Sequence, residues 1–193
     1  MNILNIIDEN IKESIDAKKK LLSNKEILSA IEDASLKCSQ TIIQGQKILI
    51  AGNGGSASDS QHFAAEIVGR YEVNRAAKPA IALTTDTSNI TAIANDFGYK
   101  YIFSRQLEAI GAEQDVYIAI STSGNSENII ESLKTANDMG IKTIGLTGNN
   151  GGQMNKLVDT LINVPSERTV RIQEMHIMIL HILCNIIEGS ITS

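Results

Sequence analysis

Two short stretches of the chain concentrate residues that could do chemistry. Gly52-Asn53-Gly54-Gly55-Ser56-Ala57 follows an apolar run and opens a helix-like segment, and Ser121-Thr122-Ser123-Gly124-Asn125-Ser126-Glu127 does the same after Asp115–Ile120. A helix N-terminus offers unpaired N–H groups and a partial positive charge. The hydroxyls of Ser121, Thr122, Ser123 and Ser126 add donors, so the second loop can solvate a phosphate without Lys or Arg. No Walker lysine accompanies it, which argues against ATP or GTP. The first loop literally satisfies the G-x-G-x-x-A dinucleotide fingerprint. Glu72 lies twenty positions past Gly52, but it sits in Gly69-Arg70-Tyr71-Glu72-Val73-Asn74 rather than at the end of a second apolar strand, so the acidic ribose partner is missing. Plainer readings stand beside these: a tight turn built on glycine for the first loop, and an N-cap role for Ser126.

His62 and Glu66 are four apart on the segment that opens after the first loop, hence on one helix face. An imidazole and a carboxylate so placed can bind a divalent metal, share a proton relay, or make an ordinary surface contact. The terminal segment carries Arg168, Arg171, Gln173, Glu174, His176 and His181 among Ile, Met and Leu. Taken singly, His176 and His181 read as hydrogen-bonded core histidines.

The elements that must position these groups follow from the apolar pattern. Lys47–Ala51, Ala80–Leu83, Val116–Ile120, Thr143–Leu146 and Leu161–Val164 are short apolar runs of buried-sheet type. Helix-like segments lie between them at about 57–69, 87–95, 101–110, 127–139 and 152–157, and a long one follows at about 168–188. This alternation predicts a three-layer α/β sandwich around a five-stranded parallel sheet with right-handed crossovers, its ligand lying outside the carboxyl ends of the strands. Before the sheet, Leu4, Ile7, Ile11, Ile15 and Leu22, then Ile27, Ile31, Ala34, Cys38 and Ile42, recur at helical spacing. The reading is one domain over 1–193, with 1–44 a two-helix extension that packs on it and on neighbouring subunits.

Composition narrows the function. Lys plus Arg is 17 against 22 Asp plus Glu, a formal charge of −5, and no basic run exceeds Lys18-Lys19-Lys20. That balance disfavours nucleic-acid binding by counterion release. Trp is absent, Tyr and Phe are 4 and 3, and Ile numbers 31, so the core is aliphatic and offers no stacking platform for bases. Asp8 and Glu9 stand where a signal peptide wants positive charge, Ile177–Ile187 is about half a membrane span, and Cys38 and Cys184 are isolated. A cytoplasmic protein is the expectation.

Taken together, the two loops, the His-x-x-x-Glu helix and the Gln–His terminal helix resemble the sugar isomerase (SIS) domain family, and within it the enzymes acting on seven-carbon sugar phosphates. The matching text is 52–57 continuing to Gln61-His62-Phe63-Ala64-Ala65-Glu66, then Leu83-Thr84-Thr85-Asp86, Asn95-Asp96, 121–126, and Arg171-Ile172-Gln173-Glu174-Met175-His176 through His181. It covers about 45–188 in order, while the N-terminal helices match only in kind.

The resemblance implies an aldose–ketose isomerase that converts sedoheptulose 7-phosphate to D-glycero-D-manno-heptose 7-phosphate, the entry to heptose supply for lipopolysaccharide or capsule. It also implies a homotetramer and one zinc per subunit. Carried over residue by residue, the metal ligands are His62, Glu66, Gln173 and His181. Substrate contacts fall on Asn53, Gly54, Gly55, Ser56, Glu66, Asn95, Asp96, Ser121, Thr122, Ser123, Ser126 and Gln173. Glu66 becomes the base that moves the proton between C1 and C2, and His181 the partner that shuttles protons at the oxygens. Gln173 and His181 are eight apart, so about 12 Å along a straight helix, and metal bonds are near 2 Å. One ligand is therefore expected from a neighbouring subunit. The family also contains a non-catalytic protein that associates with a replication initiator, and isomerases of other phosphosugars; both remain alternatives at this point.

Overall fold

Five aliphatic runs form five parallel strands: β1 (Ile48–Gly52), β2 (Ala80–Ala82), β3 (Val116–Ile120), β4 (Lys142–Gly148) and β5 (Thr160–Val164). The computed structural model describes residues 1–192. The strand order is β2-β1-β3-β4-β5, with β1 and β3 in register from Ile48↔Val116 to Gly52↔Ile120. The chain leaves β1 toward one edge of the sheet and β3 toward the other, so their two exit loops flank the crevice where parallel sheets bind ligands.

Alternation along each strand divides the core. Ile48, Ile50, Ile118, Ile120, Ile144 and Leu146 face one helical layer, made of α2 (Lys25–Ile43), α3 (Gly55–Val68) and α7 (Thr169–Thr192). Leu49, Ala51, Tyr117 and Ala119 face the other, made of α4 (Thr87–Asp96), α5 (Ser104–Ile110) and α6 (Glu127–Asp138). By length and composition α7 could cross a membrane, yet its apolar face covers the sheet: Ile172, Met175, Ile179, Leu180 and Leu183 are all buried.

The first helix, α1 (Ile3–Ser23), meets α2 at Asn24, whose side chain accepts from the N–H groups of Glu26 and Ile27 and so starts α2. The helical stripe read for α2 faces the core: Ile27, Ile31, Ala34, Cys38 and Ile42 are buried. The stripe read for α1 does not. Ala17 and Leu21 are its buried residues, while Leu4, Ile7, Ile11, Ile15 and Leu22 face outward.

Two segments expected as helices differ from that expectation. The 101–110 segment is a 3-10 turn at Tyr99–Tyr101 followed by α5, and 152–157 is a 3-10 turn over Gly152–Lys156. Gly151 and Gly152 hold φ of +81 and +54, two successive residues outside the right-handed helical region.

His176 lies fully buried on α7, its Nε2 3.1 Å from the Thr147 carbonyl at the end of β4, with no partner for Nδ1 among the described residues. Burial pushes its pKa down to about 4, against the pull of the Thr147 bond. The unfolded chain therefore takes up this proton near the ordinary imidazole value while the native chain refuses it. Stability from this site is complete above about pH 6.5 and is lost as pH falls toward 4. Thermal melts across that window should show the loss, and His176→Gln should flatten it while lowering the melting temperature at pH 7. An unchanged slope in the variant would contradict this assignment.

Candidate functional site

The first loop rests on glycine geometry. Gly54 has φ +57, and a Cβ on Gly52 would come within 2.6 Å of Ser56 Cβ. The Asn53 carbonyl accepts from the Ser56 N–H and so starts α3. Gly55, the first residue of α3, touches α7: a Cβ there would lie 2.7 Å from Gln173 Nε2. Two turns further along α3, His62 meets His181 with ring centroids 4.9 Å apart at 74°. The pairs Gly55–Gln173 and His62–His181 show α3 and α7 running side by side in the same direction.

Glu66 Oε1 lies 3.1 Å from His62 Nε2, so His62, Glu66 and His181 form one group. Tyr71 closes it, its ring centroid 5.9 Å from that of His181. A fourth residue, which the sequence reading missed, belongs here. Asp59 shares the electrostatic environment of His62 and His181, and its Oδ2 is buried without a hydrogen-bond partner among the described residues. Burial raises its pKa, and the two imidazoles pull it down. Its spacing of three from His62 on one helix was the available signal.

The second loop is held from behind. The Met154 N–H donates to the Gly124 carbonyl and the Gln153 N–H to Asn125 Oδ1, while a Cβ on Gly124 would strike the Gly151 carbonyl at 2.1 Å. Ser126 occupies the N-cap of α6 but makes no capping bond with its side chain; its Oγ lies 2.9 Å from Ser121 Oγ. Those hydroxyls can turn toward a bound oxyanion, which a capping hydroxyl could not do. Asn95 and Asp96 end α4 and bond to each other at 2.8 Å. Asp96 lines a hollow of about 300 Å³ with Phe97 and Arg105, beside α4 and α5.

The far end of the His–Glu group is clamped by residues equally absent from the sequence reading. Glu188, buried near the end of α7, accepts from the N–H groups of Tyr71, Glu72 and Val73 at 3.0, 2.7 and 2.8 Å and from Arg75 Nε at 3.1 Å. Burial acts to raise its pKa, yet the three N–H groups and the guanidinium hold it down to about 2. Arg75 in turn donates to the carbonyls of Glu66 and Ile67, closing the helix that carries Glu66.

The donor types fit zinc, since imidazole nitrogen and carboxylate oxygen are its usual ligands and Asp59 leaves a buried oxygen unpaired beside them. Among the described residues of one chain, no three His, Cys, Asp or Glu side chains converge to hold an ion. Gln173 stands two turns from the other three expected ligands.

Residues 12–148 match the SIS domain family model. A phosphoheptose isomerase of Aneurinibacillus thermoaerophilus is 51% identical over 185 residues, covering 96% of this chain and 93% of that protein. Solved phosphoheptose isomerases superpose over almost their whole length. The one from Neisseria gonorrhoeae gives a TM-score of 0.91 at 42% identity, covering 97% of this chain and 100% of that one. The one from Francisella tularensis gives 0.93 at 38%, covering 98% and 100%. The chain belongs to the phosphoheptose isomerase family of SIS domain proteins.

Gly55→Ala should retain or slightly raise the melting temperature, because alanine favours the helix by roughly 0.5–1 kcal/mol. It should nonetheless lower turnover at least several-fold, because the new methyl displaces Gln173. Melting and kinetics measured on one preparation would show the two effects moving in opposite senses; a variant of full activity would contradict the role given to this contact.

Proposed function

We propose that this protein interconverts sedoheptulose 7-phosphate and D-glycero-D-manno-heptose 7-phosphate, with the phosphate held by the 121–126 loop and the chemistry at the Glu66–His181 group. The observation that carries this reading is the joining of His62, Glu66 and His181 by α3 and α7 in a chain half identical to phosphoheptose isomerases over nearly its full length. The non-catalytic alternative would have no use for such a group.

Moving a carbonyl between C2 and C1 requires one carbon-bound proton to leave and return to the neighbouring carbon through an enediol. Glu66 takes that proton and delivers it, its carboxylate oriented by the bond to His62. His181 exchanges the proton at the substrate oxygens. Ser121, Thr122, Ser123 and Ser126 grip the phosphate, with the N-terminus of α6 behind them, so that the reactive carbons are presented at fixed reach. Asn53, Gly54, Gly55, Ser56 and Gln173 form the wall between loop and base, and Asn95 and Asp96 contribute substrate contacts in the assembled enzyme.

In this reading His62, Glu66, Gln173 and His181 are the residues that hold zinc, which when bound polarises the substrate carbonyl. Because His62, Glu66 and His181 do not converge to hold an ion within one chain and Gln173 stands at Gly55, a neighbouring subunit is taken to complete the set. The outward aliphatic stripe of α1 supports such an assembly, taken here as a homotetramer. The product feeds heptose supply for lipopolysaccharide or capsule in the cytoplasm.

Purified protein incubated with sedoheptulose 7-phosphate should yield the aldose, and Glu66→Gln should fold normally with turnover below detection. Failure of the parent protein to form aldose, with conversion of fructose or glucosamine phosphates instead, would reassign the substrate. Elemental analysis should find about one zinc per chain, the stoichiometry expected of a single-ion site. His62→Ala and His181→Ala should each lower that content; full zinc in both would remove these ligands from the assignment.

A further inference from the structure

The loops after β1 and β3 are tied together by a pair of side-chain amides. Asn53 Nδ2 donates to Asn128 Oδ1 at 2.9 Å, and Asn128 Nδ2 donates back to Asn53 Oδ1 at 2.9 Å. Asn128, the second residue of α6, is 2% exposed. From the 3-10 turn beyond α4, the Tyr99 hydroxyl donates to the same Asn53 oxygen at 3.0 Å.

This arrangement determines what Asn53 can offer a ligand. An amide oxygen has two lone pairs and an amide nitrogen two hydrogens. Asn128 and Tyr99 occupy both acceptor positions, and Asn128 takes one hydrogen. The Asn53 carbonyl is already engaged by the Ser56 N–H. What Asn53 retains is donor capacity, its second Nδ2 hydrogen in particular, beside a loop suited to an oxyanion. An unrestrained asparagine could turn its oxygen toward the ligand and repel it.

We propose that Asn128 is a positioning residue for the isomerase: with Tyr99 it locks Asn53 as a one-directional donor to an acceptor oxygen of the sugar phosphate and fixes the spacing of the two loops. The inference rests on the reading of Asn53 as a substrate contact. It assigns to Asn128 no contact of its own with substrate; its effect on the reaction passes through Asn53.

The test is a double-mutant cycle with sedoheptulose 7-phosphate as substrate. Asn53→Ala and Asn128→Ala should each lower kcat/KM by roughly 10-fold or more, the range expected for losing a positioned hydrogen bond to a charged group. The double variant should be no worse than Asn53→Ala alone. Asn128→Leu keeps the approximate side-chain volume, cannot donate to Asn53 Oδ1 and adds no charge beside the loop; it should reproduce the loss, with the melting temperature measured on the same preparation to separate it from unfolding. Tyr99, 58% exposed, gives a handle independent of folding: Tyr99→Phe should lower kcat/KM in the parent and have no effect in the Asn53→Ala background. Losses that multiply in the double variant, or a silent Asn128→Leu beside a damaging Asn53→Ala, would overturn the positioning role alone. A silent Asn53→Ala would overturn the substrate-contact reading and this inference with it.

Discussion

The site depends on the register between α3 and α7. Residues more than a hundred positions apart in sequence are brought to one place because the two helices run in the same direction with Gly55 against Gln173 and His62 against His181. A glycine at the first contact permits the close approach, and the apolar face of α7 maintains it. Ile172, Met175, Ile179, Leu180 and Leu183 are buried beneath the helix, each contributing roughly 1.5–3 kcal/mol relative to exposure. Sliding α7 by one turn would sacrifice several of these at once. The Glu188–Arg75 clamp fixes the other end, binding the loop that carries Tyr71 to the same helix and capping the one that bears Glu66.

A second principle governs how an anion is held by a chain with net charge −5. In the proposed reading, oriented dipoles serve in place of cations: backbone N–H groups at the start of α6, the Ser126 hydroxyl spared from capping, and an asparagine whose acceptor positions are already filled. Such groups are set before the ligand arrives and need little rearrangement when it does. The close packing of Gly124 against Gly151 shows how firmly the second loop is set.

Most of the architecture could be read from the chain because the strands are short, mostly aliphatic runs, the central β1 and β3 buried on both faces, a signal that glycine and serine punctuate cleanly. The position of the two loops, at the ends of β1 and β3, was legible for the same reason. The segments at 101–110 and 152–157 were harder, since short helical stretches carry too few periods to separate a 3-10 turn from an α-helix, and paired positive-φ glycines leave no periodic trace. The stripe on α1 gave the right element but not its surroundings, because periodicity reports that a face is apolar and not what covers it. Asn128, Glu188 and Arg75 escaped notice since their partners are remote in sequence and an isolated Asn, Glu or Arg on a helix or loop looks like ordinary surface. Their roles appear only when the fold removes them from water.

The aliphatic character of the interior has an optical consequence. Lacking tryptophan, the protein reports on itself in the near ultraviolet through its tyrosines, and of these Tyr117 alone is buried, its phenol 2.7 Å from the Ser132 hydroxyl between β3 and α6. Burial also drives its ionisation far above the ordinary phenol range. Opening of the layer between β3 and α6 therefore alters the near-ultraviolet circular dichroism through Tyr117, while Tyr71, packed against His181, reports from the opposite face of the sheet.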